Sequence, residues 1–141
     1  MEKALVGAAL VSATILFPPI ANAGPGGGQG NISQPFSQAG GPFVGSWGSH
    51  TEHVAVNADG TGTETSIYGK TVTFKFSEVQ DNGQTAYGSI VSGAAGQGGY
   101  VLMHLVDSGN GMQMSMAGGD NGWPFCKSVN GNYVNHNDCG A

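Results

Sequence analysis

Three methionines recur at every second position in Met112-Gln-Met114-Ser-Met116. On an extended strand that spacing puts all three thioethers on one face. Thioether sulfur is a soft ligand that selects Cu(I) over harder metals, and Trp123 together with a histidine would complete such a site. A core strand shows the same period, with Met as the adaptable filler of irregular gaps. Two chemistries therefore stay open for this face, an extracytoplasmic soft-metal site and a packed interior.

The string His50-Thr-Glu52-His53 is the other concentration of chemical groups. The His-Glu-x-x-His spacing of helical zinc sites is absent. On a strand, residues three apart point to opposite faces, so His50 and Glu52 share a side while His53 leaves it. That suits a polar cluster on the surface better than a metal centre. His104 sits inside the apolar run 100–106 and reads as a satisfied core histidine, whereas His136 stands solvated between two asparagines.

Catalytic signatures do not accumulate. No Gly-x-Ser-x-Gly elbow and no phosphate-binding glycine fingerprint occurs. Asp59, Asp81, Asp107 and Asp120 all fall in turn contexts, where a carboxylate caps backbone amides. A small secreted hydrolase is thus the weakest of the functional alternatives. The chain holds four lysines, no arginine and nine acidic residues in 141, for a net charge of −5. Binding to nucleic acid draws on phosphate neutralisation, so that balance argues against it.

The N-terminus supplies an address. Lys3 precedes an uncharged apolar run from Ala4 to Phe17, Pro18-Pro19 stops it, and Ala21-Asn22-Ala23 offers a small-x-small cleavage pattern. Residues 1–23 read as a secretory signal peptide, because a membrane-spanning helix needs about 20 apolar residues. A secreted or extracytoplasmic protein with no stable membrane anchor after cleavage is expected. In that oxidising setting the only two cysteines, Cys126 and Cys139, are expected to pair as a disulfide.

These groups have to be positioned by strands, since no window offers a convincing amphipathic helix. Residues 24–42 carry seven glycines, three prolines and no charge, and are expected to form a flexible leader, with Ile32 and Phe36 as latches. The folded unit is then 43–141. Val72, Phe74 and Phe76 alternate with Thr73, Lys75 and Ser77, and the same period of two marks Val54 and Val56. The run Tyr100–Val106 is apolar enough to be covered on both faces. Turn signals at Asp59-Gly60, Asp81-Asn-Gly83, Gly109-Asn-Gly111 and Asn121-Gly122 separate the runs. Seven strands are expected (44–50, 52–57, 62–68, 71–79, 84–91, 98–106 and 111–117), followed by an irregular C-terminal segment. The fold class is all-β, a small antiparallel sandwich or barrel. Trp47, Trp123 and the tyrosines at 68, 87, 100 and 133 read chiefly as core and rim packing, with a ligand platform as the alternative.

Gly45-Ser-Trp47-Gly-Ser-His50, Asn57-Ala-Asp-Gly-Thr-Gly62, Ala86-Tyr-Gly-Ser-Ile90 and the closing Cys139-Gly-Ala141 resemble a layout found in small secreted actinobacterial proteins of mycobacterial type. The resemblance implies export and a small β domain, and carries no catalytic residues over. The functional expectation is a secreted, non-catalytic binding or interaction module whose partner is a cell-envelope or host component. A Cu(I) binder using Met112, Met114, Met116 and Trp123 is the runner-up.

Overall fold

In the computed structural model, described residues are 32–117, 121–134 and 139. The expected signal peptide and the expected leader up to Asn31 therefore lie outside the described residues, as does His136. Eight long strands follow one another in the chain. They are β2 (Gly45–Gly48), β3 (Glu52–Val56), β4 (Thr61–Ser66), β5 (Thr71–Gln80), β6 (Thr85–Gly93), β7 (Tyr100–Val106), β8 (Gly111–Met116) and β9 (Asn121–Val129). Each pairs antiparallel with its successor, and β9 returns to pair with β2. The result is a closed up-and-down barrel, which settles barrel against sandwich. Closure removes the sheet edges that would otherwise template pairing with other chains.

Period two decides what faces inward. Trp47, Val54, Phe74, Phe76, Ile90, Val101, Met103, Met112, Met114 and Phe125 are all buried. An eight-stranded barrel is just wide enough for side chains of this size to fill. Glycine is required where they are largest. A Cβ on Gly62 would collide with the Phe74 ring, and one on Gly88 with the Lys75 backbone. Glu64 is the one charged side chain in the described core, 6% exposed and level with Val54 and Val72.

One end of the barrel is stoppered by the segment before it. The short strand β1 (Gln34–Pro35) pairs with β5 through Val79 and Glu78, and a single turn of helix, α1 (Phe36–Ala39), follows. Phe36 is 3% exposed and stacks on Phe76, centroids 5.5 Å apart, with Phe43 at 6.1 Å. Gly60 makes room for it, since a Cβ there would press on both the Phe36 ring and the Phe76 carbonyl. The folded unit thus begins near Gln34 and not at Phe43. The expected leader is too long by its last nine residues, because one aromatic anchors them. Ile32, the other expected latch, is exposed.

Two further expectations are corrected. The C-terminal segment is not irregular throughout: β9 is the eighth barrel strand, and β10 (Asn132–Tyr133) folds back on it. Asn121-Gly122 stands where the chain enters β9 after β8, at a bulge opposite Met114 and Ser115, and a second reversal at Asn130-Gly131, both at positive φ, leads from β9 into β10. Nor is β7 covered on both faces, for its outer residues Leu102 and His104 are only half-buried. Cys126 and Cys139 form the expected disulfide, Cα atoms 5.6 Å apart, tying the end of the chain to the outside of β9.

Candidate functional site

At the end of the barrel opposite the Phe36 stopper, two hairpins and the C-terminal return enclose a cleft of about 330 Å³. The β2–β3 turn contributes Ser49, His50 and Thr51, and the start of β3 contributes Glu52 and His53. The end of β4 adds Thr65 and Ser66, the following turn adds Ile67, and Tyr133 closes the side.

Local sequence explains each placement. Ser49 donates its backbone N–H to the Glu52 carbonyl at 2.9 Å, which turns the chain tightly and lifts His50 out of the strand. The register pairs His53 with Gly48 and with Thr65, so His53 and Thr65 stand side by side on the outer face. Gly48 has no Cβ, and the Tyr133 ring lies over it in the place a Cβ would occupy. Asn130-Gly131 makes the reversal that returns Tyr133 alongside Ser128.

The walls are fixed by backbone bonds. Ile67 donates its N–H to the Thr51 carbonyl at 2.8 Å, which carries the β3–β4 ladder one step beyond the Glu52–Ser66 pair into the two turns. Ser66 N–H donates to the Lys70 carbonyl at 2.9 Å, and Lys70 N–H donates to the Ser66 hydroxyl at 3.3 Å. Gly69, at φ +77°, turns that hairpin. Lining groups held this way are preorganised, so a ligand does not have to order them.

The chemistry on offer is hydrogen bonding. Hydroxyls and imidazoles supply both donors and acceptors, and Glu52 is the one carboxyl group lining the cleft. Ser49 is buried and its Oγ makes a long 3.5 Å contact with the Glu52 carbonyl, which directs its proton to backbone and away from a base. Among the described residues no group of three or more His, Cys, Asp or Glu is arranged to hold a metal ion.

The sequence-level expectations divide at this point. His50, Glu52 and His53 do meet at one surface site. The reason differs from the expected one: His50 sits in a turn, so strand alternation does not separate it from His53. Tyr133, Thr65 and Ile67 complete the cleft and were not legible as partners, because a barrel register and a chain reversal bring them there. The Asn130-Gly131 dipeptide was the available signal for Tyr133.

Met112, Met114 and Met116 all point into the barrel, 0%, 0% and 2% exposed. Met112 stands opposite Phe125 and Leu105 in the register, and Met103 opposite Met114. Of the two readings of this face, the burial matches the packed interior, with the thioethers part of the core. Trp123 pairs with Met114 along β9, but its side chain lies outside the described residues. Of the tyrosines expected to pack, Tyr68 is 79% exposed at the tip beyond Ile67. His104 is satisfied on the outer face by Thr85 Oγ1, 2.8 Å from its Nδ1.

Among the described residues no helix is long and apolar enough to cross a membrane. No family model, no curated protein and no solved structure matches the chain.

Proposed function

We propose that this chain is an exported, non-catalytic binding module, and that the cleft at the β2–β3 turn is its ligand site. The carrying observation is the convergence of His50, Glu52, His53, Thr65 and Tyr133 on one cleft, against a β3–β4 ladder that the Ile67–Thr51 backbone bond extends into the turns. The rest of the barrel serves as a rigid mount, and sites held on such a frame keep their geometry without a partner.

Export is supported by the signal-like N-terminus and by a disulfide, which persists in oxidising compartments. The resemblance to small secreted actinobacterial proteins points the same way, and an exported module of this kind would meet a cell-envelope or host component. A hydrolytic role lacks support, given where the Ser49 hydroxyl is directed. The Cu(I) alternative lost its support when the Met face turned inward.

The test is retention of the disulfide-intact chain on isolated cell-envelope material. Wild type is retained, a His50→Ala/His53→Ala variant elutes early, and a Lys75→Ala control at the opposite end behaves as wild type. Equal retention of all three would remove the cleft as the binding surface.

A further inference from the structure

The lining of the cleft narrows the ligand to a chemical class, an inference that rests on the cleft being the binding site. Three properties bear on it. First, the charge is wrong for an anion. No lysine lines the cleft, the chain has no arginine, and Glu52 contributes a negative charge. Phosphate and carboxylate are held best by Arg or Lys forks, and neither residue lines this cleft.

Second, the hydrogen-bonding groups are ambivalent. The Thr51, Thr65 and Tyr133 hydroxyls and two imidazoles each donate or accept according to what they meet. A ligand that is itself made of hydroxyls matches such a surface, because either partner can rotate to supply the proton. A ligand with fixed polarity, such as an ammonium group, uses acceptors alone and leaves the donors unpaired. Leaving buried donors unpaired costs on the order of 1–3 kcal/mol each.

Third, the cleft has apolar surface in the right place. The Tyr133 ring forms one side and Ile67, 68% exposed, the other, with Tyr68 beyond it at 79%. Exposed Ile and Tyr next to a polar floor offer a surface to the C–H face of a ring whose hydroxyls project from its edge. The volume of about 330 Å³ fits one or two such rings.

We infer that the cleft takes a neutral sugar, seated between Tyr133 and Ile67 with its hydroxyls bonded to Thr65, His50 and His53. Such binding is carried by neutral hydrogen bonds and apolar contact, so salt leaves it unchanged, whereas ion pairing on an exposed surface weakens with salt.

The experiment is an amide-shift titration of the full disulfide-bonded chain by NMR. The probes are maltotriose, cellotriose and mannotriose, with inorganic phosphate and tetramethylammonium chloride as charged counterparts, at low and high sodium chloride. At least one trisaccharide is expected to move amides of 49–53, 65–67 and 133 equally at both salt concentrations. Thr65→Val with His53→Ala, both exposed positions, is expected to weaken that binding about tenfold with the fold intact, the loss of one or two hydrogen bonds. Cleft shifts with phosphate or tetramethylammonium and with no sugar overturn the sugar class and leave the cleft as a site. Sugar-induced shifts elsewhere, or unaffected by the double variant, also overturn it. If no probe moves the cleft the sugar class falls, and envelope retention decides the cleft itself separately.

Discussion

Lys127 and Trp47 face one another across the seam where the barrel closes, the ammonium 5.3 Å from the centre of the indole ring. The seam is narrow, for β2 and β9 share only the register pairs at 46, 47 and 48. Trp47 also donates its indole N–H to the Phe43 carbonyl at 2.9 Å, which links the seam to the stopper at the far end. Closure therefore depends on side chains as well as on the ladder. It matters for the site, because Gly48, the next residue, is the floor under Tyr133.

Trp47→Phe is expected to cost about 2–4 kcal/mol, combining lost core volume with an unpaired buried carbonyl. Lys127→Ala is expected to cost only about 0.5–1 kcal/mol, the worth of a half-exposed cation–π contact. Urea unfolding of the two variants measures both. A Lys127 effect as large as the Trp47 effect would show that the lysine does something other than cover the ring.

Gly88→Ala is expected to be strongly destabilising, because the new Cβ meets the Lys75 backbone, which has no side chain to move aside. Gly41→Ala is the control: nothing lies within 4 Å of a Cβ there, and the change is expected to be neutral or slightly stabilising. Thermal melts of the pair check this, and similar melting temperatures would contradict the close approach of β5 and β6 at Gly88.

The strands were legible because burial on one face imprints a period of two, as at Val72, Phe74 and Phe76. The eighth strand was not, because Gly122, Pro124 and Cys126 interrupt any alternation. Pro124 is tolerated for a reason only topology supplies. β2 ends at Gly48, opposite Cys126, so that flank of β9 has no paired strand at Pro124. Phe36 was legible as an apolar residue but not as a stopper, since its seat is made by Gly60 and Phe76, some 24 and 40 positions away. The cleft was half legible: its histidines are neighbours in sequence, while Thr65 and Tyr133 arrive through the register and the disulfide-tied return.

Removing the disulfide tests that return. Cys126→Ser with Cys139→Ser frees a closed loop of about 14 residues and is expected to cost roughly 3 kcal/mol. Because Tyr133 lies inside the loop, ligand retention is expected to fall further than the stability loss alone predicts. A variant that melts lower yet binds unchanged when folded would show that Tyr133 holds its place without the bridge.

Acid is expected to loosen the stoppered end first. Thr61 donates through its hydroxyl and its backbone N–H to Asp59, holding that carboxyl below its ordinary pKa, with the Lys75 ammonium adding to the effect. The Ser33 hydroxyl and the Gln80 amide do the same for Glu78, which ties the N-terminal segment to β5. A folded-state pKa depressed below the unfolded one stabilises above the unfolded value, and that contribution is lost as pH falls through the folded one. Urea midpoints measured from neutral pH downward should therefore begin to drop as pH enters the usual carboxylate range and go on dropping below it. In Asp59→Asn with Glu78→Gln that limb is expected to flatten, and an unchanged limb would assign acid sensitivity elsewhere.

The most direct measurement of the cleft as the binding surface is amide hydrogen exchange of the intact, disulfide-bonded chain with and without cell-envelope material. Slowed exchange confined to residues 49–53, 65–67 and 133 is the expected result, with the stopper at 34–43 and the turns at 81–84 and 107–110 unchanged. Protection centred on the stoppered end, or no protection while the chain is retained, would contradict it.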